Sequence, residues 1–149
     1  MAKPNKKPFY RFLFLAYCGF IIWLLFFGAR QPDYRLYWEQ VMDNFSIKPF
    51  YTINNYMRVL LRGTNGDLVR HCAINLLGNV LFFIPGGFLF PKVFPRLRTF
   101  WRFFLLCFGL LLLVETAQLF SLRGIFDIDD LILNLFGLSL GYVLYKVKK

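Results

Sequence analysis

Long apolar runs alternate with short polar stretches along this chain, and the length of the runs matches a bilayer rather than a soluble core. Apolar residues dominate 9–29, 68–90, 100–120 and 128–145, each close to the roughly 20 residues that an α-helix needs to cross hydrocarbon. The pattern predicts an all-α polytopic membrane protein, with four transmembrane helices in a single membrane domain over 1–149. The first run is too long for a removable signal peptide, and Gly28-Ala29-Arg30 makes a poor cleavage site. Tyr17 before Cys18 argues in the same way against a lipoprotein signal. The run is therefore read as a retained first helix.

Residues 31–67 are more polar and predict an interfacial segment outside the cytoplasm. Tyr34, Tyr37, Trp38, Val41, Met42 and Phe45 recur at helical spacing, with Arg35, Glu39, Gln40 and Asp43 facing the other way. That is an amphipathic helix with aromatics at headgroup depth. Ile47-Lys48-Pro49-Phe50 ends it, Thr52 is placed to cap a second short helix through Ile53, Tyr56, Val59 and Leu60, and Thr64-Asn65-Gly66-Asp67 reads as a turn. In the second span, Pro85-Gly86-Gly87 should bend the helix, because proline removes a backbone donor.

Composition sharpens this picture. At 58% hydrophobic and 21% aromatic over 149 residues, the chain is too apolar for a soluble domain of its size. The net charge of +10 belongs beside the apolar runs rather than on a separate basic domain, so no nucleic-acid partner is expected. Cys18, Cys72 and Cys107 lie inside apolar segments and match no metal or redox spacing, so they read as small buried hydrophobes.

The charges also predict orientation. With four spans, the N-terminal tail, residues 91–99 and the C-terminal tail share one side. That side and its helix ends carry Lys3, Lys6, Lys7, Arg11, Lys92, Arg96, Arg98, Arg102, Lys146, Lys148 and Lys149 and no acid. Asp33, Glu39, Asp43, Asp67, Glu115, Asp127, Asp129 and Asp130 lie on or near the other side. The positive-inside rule then places both termini in the cytoplasm.

In that orientation the polar residues inside the spans converge on the outer leaflet. Asn75 and Asn79 share a face of the second helix, Glu115 and Gln118 a face of the third, and Asp130, Asn134, Gly137 and Gly141 a stripe on the fourth. Glu115 follows Leu110 to Val114. A carboxylate there costs about 2.5 to 3.5 kcal/mol on the insertion scale, so it should face the bundle interior or a watery cavity. Asp130, on the packed stripe, needs a partner, and Arg123 in the short connection is the expected one.

Each of these features also has a purely structural explanation. Asp127 can be the N-cap of the fourth helix with Asp129 and Asp130 in its first turn. Glu115 can be a hydrogen-bonded strut to Asn75, Asn79 or Arg123. Asn75 and Asn79 can be interhelical glue, Gly137 and Gly141 a helix-packing face, and His71 an ordinary interfacial residue.

The run Asn79-x-x-Phe82-x-x-Pro85-x-Gly87, followed by Glu115-x-x-Gln118 and then Arg123, Asp127, Asp130, Asn134, Gly137 and Gly141, resembles the VanZ-like family of small bacterial membrane proteins. Ile47-Lys48-Pro49-Phe50 resembles a proline-phenylalanine element of that family, with Lys48 where an apolar residue is common. The resemblance implies a cell-envelope protein, the founding member being associated with resistance to teicoplanin-type glycopeptide antibiotics. It implies no cofactor and no defined reaction.

Three readings of the polar cluster follow. In the first, Asn75, Asn79, Glu115, Gln118, Arg123, Asp127, Asp130 and Asn134 bind an amphiphile: a membrane lipid, a lipid-linked envelope precursor or the lipid tail of a glycopeptide. Arg123 would hold an anionic group there, and the aromatic interfacial helix would cover the entrance. In the second, the site is catalytic, with Glu115 or Asp130 as general acid or base or as oxygen ligands of a divalent metal. No serine or cysteine has a paired base, and the lone His71 speaks against zinc. In the third, Glu115 serves a small proton-coupled transporter, which with so few helices would act as a homo-oligomer.

Overall fold

A computed structural model describes residues 7–27, 35–63 and 65–148 of the chain. Four helices, Lys7–Phe26, Gly66–Val93, Phe100–Phe120 and Ile128–Val147, are long and apolar enough to cross a membrane. The chain is an all-α, multi-pass membrane protein. The span boundaries read from hydropathy agree to within a few residues, because spanning length is set by the bilayer and not by tertiary detail.

In chain order the elements are α1 (Lys7–Phe26), α2 (Tyr37–Asp43), β1 (Phe45–Ser46), α3 (Tyr51–Arg62), α4 (Gly66–Leu81), α5 (Ile84–Val93), a 3₁₀ turn (Pro95–Arg98), α6 (Phe100–Phe120), β2 (Phe126–Asp127) and α7 (Ile128–Val147). The central element is α7, which packs on α4 and α5, on α6 and on α3, while α1 packs on α5. The core at the centre joins Phe83, Phe103, Cys107, Leu111, Leu131, Leu135, Leu138 and Tyr142, with Ile21 from α1. On α1 only Ile21 is buried, and Phe12, Leu15, Phe20 and Trp23 are exposed, as suits a helix facing lipid.

The second span is two helices. Pro85 has no N–H to give the Leu81 carbonyl, so α4 stops at Leu81 and α5 restarts with Pro85 in its first turn. The turn between them tightens through Phe83 N–H to the Val80 carbonyl at 3.3 Å. This break is where α7 seats. A side chain at Gly137 would run into the Val80 carbonyl, and one at Gly141 into the Ile84 carbonyl. The pair is thus the packing face expected of small residues four apart.

The segment between α1 and α4 is built differently from its sequence pattern. Helix α2 ends at Asp43, so Phe45 belongs to no helical stripe; β1 instead pairs in parallel with β2, Phe45 opposite Phe126. Gln40, expected on the outward polar face, is buried and donates to the Arg35 carbonyl at 2.7 Å, whereas Trp38 and Met42 are exposed. Arg35 pairs with Asp43. Tyr34 of the expected stripe, Asp33 and Thr64 lie outside the described residues.

Nor does Thr52 cap α3. Residue Phe50 precedes that helix in the left-handed region, at φ 62°, and its N–H donates to Asp129 Oδ1 at 2.5 Å, while Ile53 N–H donates to Asp129 Oδ2 at 3.1 Å. A carboxylate from α7 therefore satisfies the orphan amides at the start of α3, a cap supplied through space. Asn65 caps α4 locally, accepting from Asp67 and Leu68 N–H at 3.0 and 3.2 Å.

Candidate functional site

Helices α3, α4, α6 and α7 meet at the end of the bundle that carries the acids. They border a cavity of about 300 Å³ lined by Leu25, Thr52, Tyr56, His71, Asn75, Asn79, Glu115, Gln118, Gly124, Ile125, Asp127, Asp130 and Asn134. The helical spacing explains the convergence: each of α4, α6 and α7 places polar residues three or four apart, hence on one face.

Seven of the eight residues expected at the site are in this lining; Arg123 is not. Glu115 is 4% exposed, and the backbone N–H of Asp127 faces its carboxylate. None of the three partners expected for Glu115 takes that place. Asp130 accepts from Asn79 Nδ2 at 2.5 Å, which ties α7 to α4. Asn75 turns to its own helix instead, with Nδ2 3.2 Å from His71 Nε2.

Arg123 is exposed on the connection and makes no ion pair among the described residues. Its placement follows from how α6 ends. Leu122 adopts φ 53°, Arg123 N–H reaches the Gln118 carbonyl at 2.9 Å, and Leu122 N–H reaches the Leu119 carbonyl at 3.0 Å. This is a Schellman turn with leucine in the left-handed position, and it directs the next side chain away from the cavity. The expected Arg123–Asp130 pair is replaced by the Asn79–Asp130 hydrogen bond.

Asp127 caps α7 by accepting from Asp129 N–H at 2.9 Å, and it also accepts from Thr52 Oγ at 2.6 Å. Its structural explanation therefore holds, extended by a tie to α3. Asp129 is wholly buried and spent on Phe50 and Ile53, so it is a strut rather than a ligand. Gln118 faces the cavity and donates to the Leu25 carbonyl at 2.8 Å, fastening α1 to α6.

Asn134 is 2% exposed, and its Oδ1 has no hydrogen-bond partner among the described residues. A buried amide oxygen without a donor costs about 1 to 3 kcal/mol, so its persistence at the wall of a cavity marks a place where a donor can arrive. Thr52, Tyr56 and His71 were missed as site residues. Tyr56 packs edge-on against His71 with ring centroids 6.3 Å apart. Burial first, and then the Asp130 carboxylate, raise the Tyr56 pKa above its usual value, so this residue presents a neutral hydroxyl to the cavity. A sequence signal existed for it, since Tyr56 lies on the inward stripe of its amphipathic helix. None existed for Thr52, whose role depends on a helix 75 residues away.

Chemically, the cavity is rich in acceptors. It holds three carboxylates and the Asn134 amide oxygen beside the Tyr56 hydroxyl, His71 and the side-chain amides, and no lysine or arginine among the described residues. Among the described residues no group of three or more His, Cys, Asp or Glu side chains has the geometry of a metal site.

A family model described as VanZ/LLP1 matches residues 14–149, nearly the whole chain. No curated protein and no solved structure matches it significantly.

Proposed function

The chain belongs to the VanZ/LLP1 family, and from that membership and the polar cavity we propose that it binds or modifies a lipid-linked envelope component or related amphiphile. In this reading the cavity opens to the outer leaflet of the bacterial cytoplasmic membrane, both termini are cytoplasmic, and the activity contributes to resistance to teicoplanin-type glycopeptides. The charge asymmetry of the loops supports the orientation. The observation that carries the reading is the pair Glu115 and Asp130, two carboxylates from adjacent helices facing one cavity within largely apolar spans. Ionisable groups at such depth support a site, because a bilayer penalises them.

Teicoplanin susceptibility of cells expressing the wild type, Glu115→Gln or Asp130→Asn, with membrane abundance quantified, tests it. Protection by the wild type and loss of protection in abundant variants is the expected result. Variants that are abundant and fully protective would remove the site from the function; a wild type that never protects would remove the resistance phenotype.

A second reading is favoured by the same two carboxylates. With Glu115 and Asp130 on one cavity, one can donate and the other accept a proton at a lipid headgroup. Turnover of a lipid-linked substrate that stops in either variant, while binding persists, selects it.

A further inference from the structure

The polar cavity has a neighbour. Leu25 of α1 lines it, and Leu25 also lines an apolar cavity of about 220 Å³ between α1, α5, α6 and α7, walled by Tyr17, Ile21, Phe83, Leu111 and Val114 among others. Along α6 the two are one turn apart: Leu111 and Val114 face the apolar cavity, Glu115 and Gln118 the polar one. Ligand pockets run from about 300 to 1,000 Å³. The apolar cavity falls short of that range alone, and the two together lie within it.

We infer that the two cavities are one bipartite site, and that its ligand is a single-chain amphiphile with an amine-bearing, cationic head. The inference rests on the amphiphile-binding reading above and specifies both ends of the molecule.

The tail follows from shape. The apolar cavity extends from Leu25 to Tyr17 of α1, about 12 Å at the helical rise of about 1.5 Å per residue. That depth is less than half of a hydrocarbon core of about 30 Å, so the chain stays in one leaflet. Ile22 and Leu110, on the facing walls, are both exposed, so the cavity opens sideways to lipid and a chain enters without crossing the headgroup layer. Its volume suits one chain rather than two.

The head follows from the hydrogen-bond inventory. Asp127 is occupied by Thr52 and the Asp129 N–H. Glu115 and Asp130 retain free acceptor capacity, since a carboxylate has about four lone-pair sites, and the charge of neither is met by a lysine or arginine in the lining. Asn134 Oδ1 is buried without a donor. The unmet needs of Glu115, Asp130 and Asn134 are therefore for a donor, and those of the two carboxylates for positive charge. An ammonium supplies three donors and a charge at one point. A phosphate or carboxylate head would instead meet like charges, and Arg123, the cation that could have received it, lies outside. The Gln118 bond to the Leu25 carbonyl fixes α1 against α6 at the junction, so head and tail sites hold a constant spacing.

The test uses the full chain in phosphatidylcholine vesicles and three photoreactive probes. These share one diazirine-bearing alkyl chain and differ only in a primary amine, hydroxyl or carboxylate head, and the labelled residues are mapped by mass spectrometry. The amine probe is expected to label buried Leu111 and its neighbour Val114 about tenfold more than the carboxylate probe, with the alcohol between them. Ile22→Trp, and Leu110→Trp on the opposite wall, should each cut that labelling about tenfold. Both positions face lipid, so the protein should stay abundant. Glu115→Gln should collapse the preference for the amine while the tail labelling persists.

Equal labelling of Leu111 by the amine and the carboxylate overturns the cationic head and leaves amphiphile binding standing. Labelling by all three confined to lipid-facing Trp101 and Leu113 overturns both. Labelling of Leu111 that neither tryptophan reduces overturns the tail site alone, and with it the bipartite ligand.

Discussion

The two ends of α7 show opposite ways of packing a helix in a membrane. Toward its C-terminus, Gly137 and Gly141 bring backbone against the Val80 and Ile84 carbonyls, Tyr142 stacks on Phe103 with centroids 4.9 Å apart, and its hydroxyl donates to the Arg98 carbonyl at 2.6 Å. On that face the helix is closely packed. Toward its N-terminus the same helix carries Asp127, Asp129, Asp130 and Asn134. Two of these four are spent on structure, one is held by a single amide, and one has an oxygen with no donor. Where apolar neighbours offer only dispersion, close approach of small residues supplies the adhesion. Where polar groups remain unspent, the fold carries a cost that apolar packing does not offset.

The largest way to break the contrast is at the closed end. Gly141→Val would push two methyl groups into the Ile84 carbonyl and the Gly87 backbone, which cannot move without separating α5 from α7. Overpacking of this kind costs about 3 kcal/mol or more. Purified protein should lose most of its folded fraction, read by size-exclusion profile and thermal unfolding in detergent. A variant as stable as the wild type would mean that the helices do not meet at this glycine.

At the open end the largest effect belongs to Asp129. Replacing it by alanine strands the N–H groups of Phe50 and Ile53 and frees the left-handed turn at Phe50. The expected loss is about 3 kcal/mol, the sum of two charged hydrogen bonds less what water recovers. Limited proteolysis should then cut within residues 44–50 first, before α7 is affected. An Asp129→Ala protein with unchanged stability and proteolysis would place the junction of α3 and α7 on the β1–β2 pairing instead.

Glu115→Gln separates site from scaffold. Glutamine keeps an oxygen for the Asp127 N–H and removes the charge, so stability should change by no more than about 1 kcal/mol while protection against teicoplanin is lost. The opposite result, a collapse in abundance with residual protection, would make Glu115 another strut like Asp129.

The difference between these positions explains how far the sequence could be read. Span number and limits come from summed hydropathy over about 20 residues, so local errors average out and the four helices were legible. So was the shared face of Asp130, Asn134, Gly137 and Gly141, which needs only helical spacing. Asp129 was hidden, because in sequence it is one acid among three at a helix start, and its partners Phe50 and Ile53 approach only after the chain folds back. Phe45 was misplaced because a two-residue pairing between β1 and β2 overrides its helical periodicity, and Gln40 because its side-chain amide turns in to the Arg35 carbonyl. Tertiary contacts of this sort leave no mark in local periodicity.

Arg123 gives the smallest expected effect. Proximity in sequence and opposite charge made it the expected partner of Asp130, and seven residues of separation would allow a long side chain to reach. The geometry decides otherwise, because the Schellman turn at Leu122 sends the guanidinium outward and Asn79 already occupies Asp130. An exposed cation with no ion pair among the described residues contributes little, so Arg123→Ala should shift unfolding by no more than about 0.5 kcal/mol. It should also leave amine-probe labelling of Leu111 unchanged. Asn79→Ala, by contrast, removes the amide donor on Asp130 and should cost about 1 to 3 kcal/mol. If Arg123→Ala weakened the protein as much as Asn79→Ala, the arginine would have to reach Asp130 in the membrane, and the cavity would then hold a cation of its own and favour an anionic head.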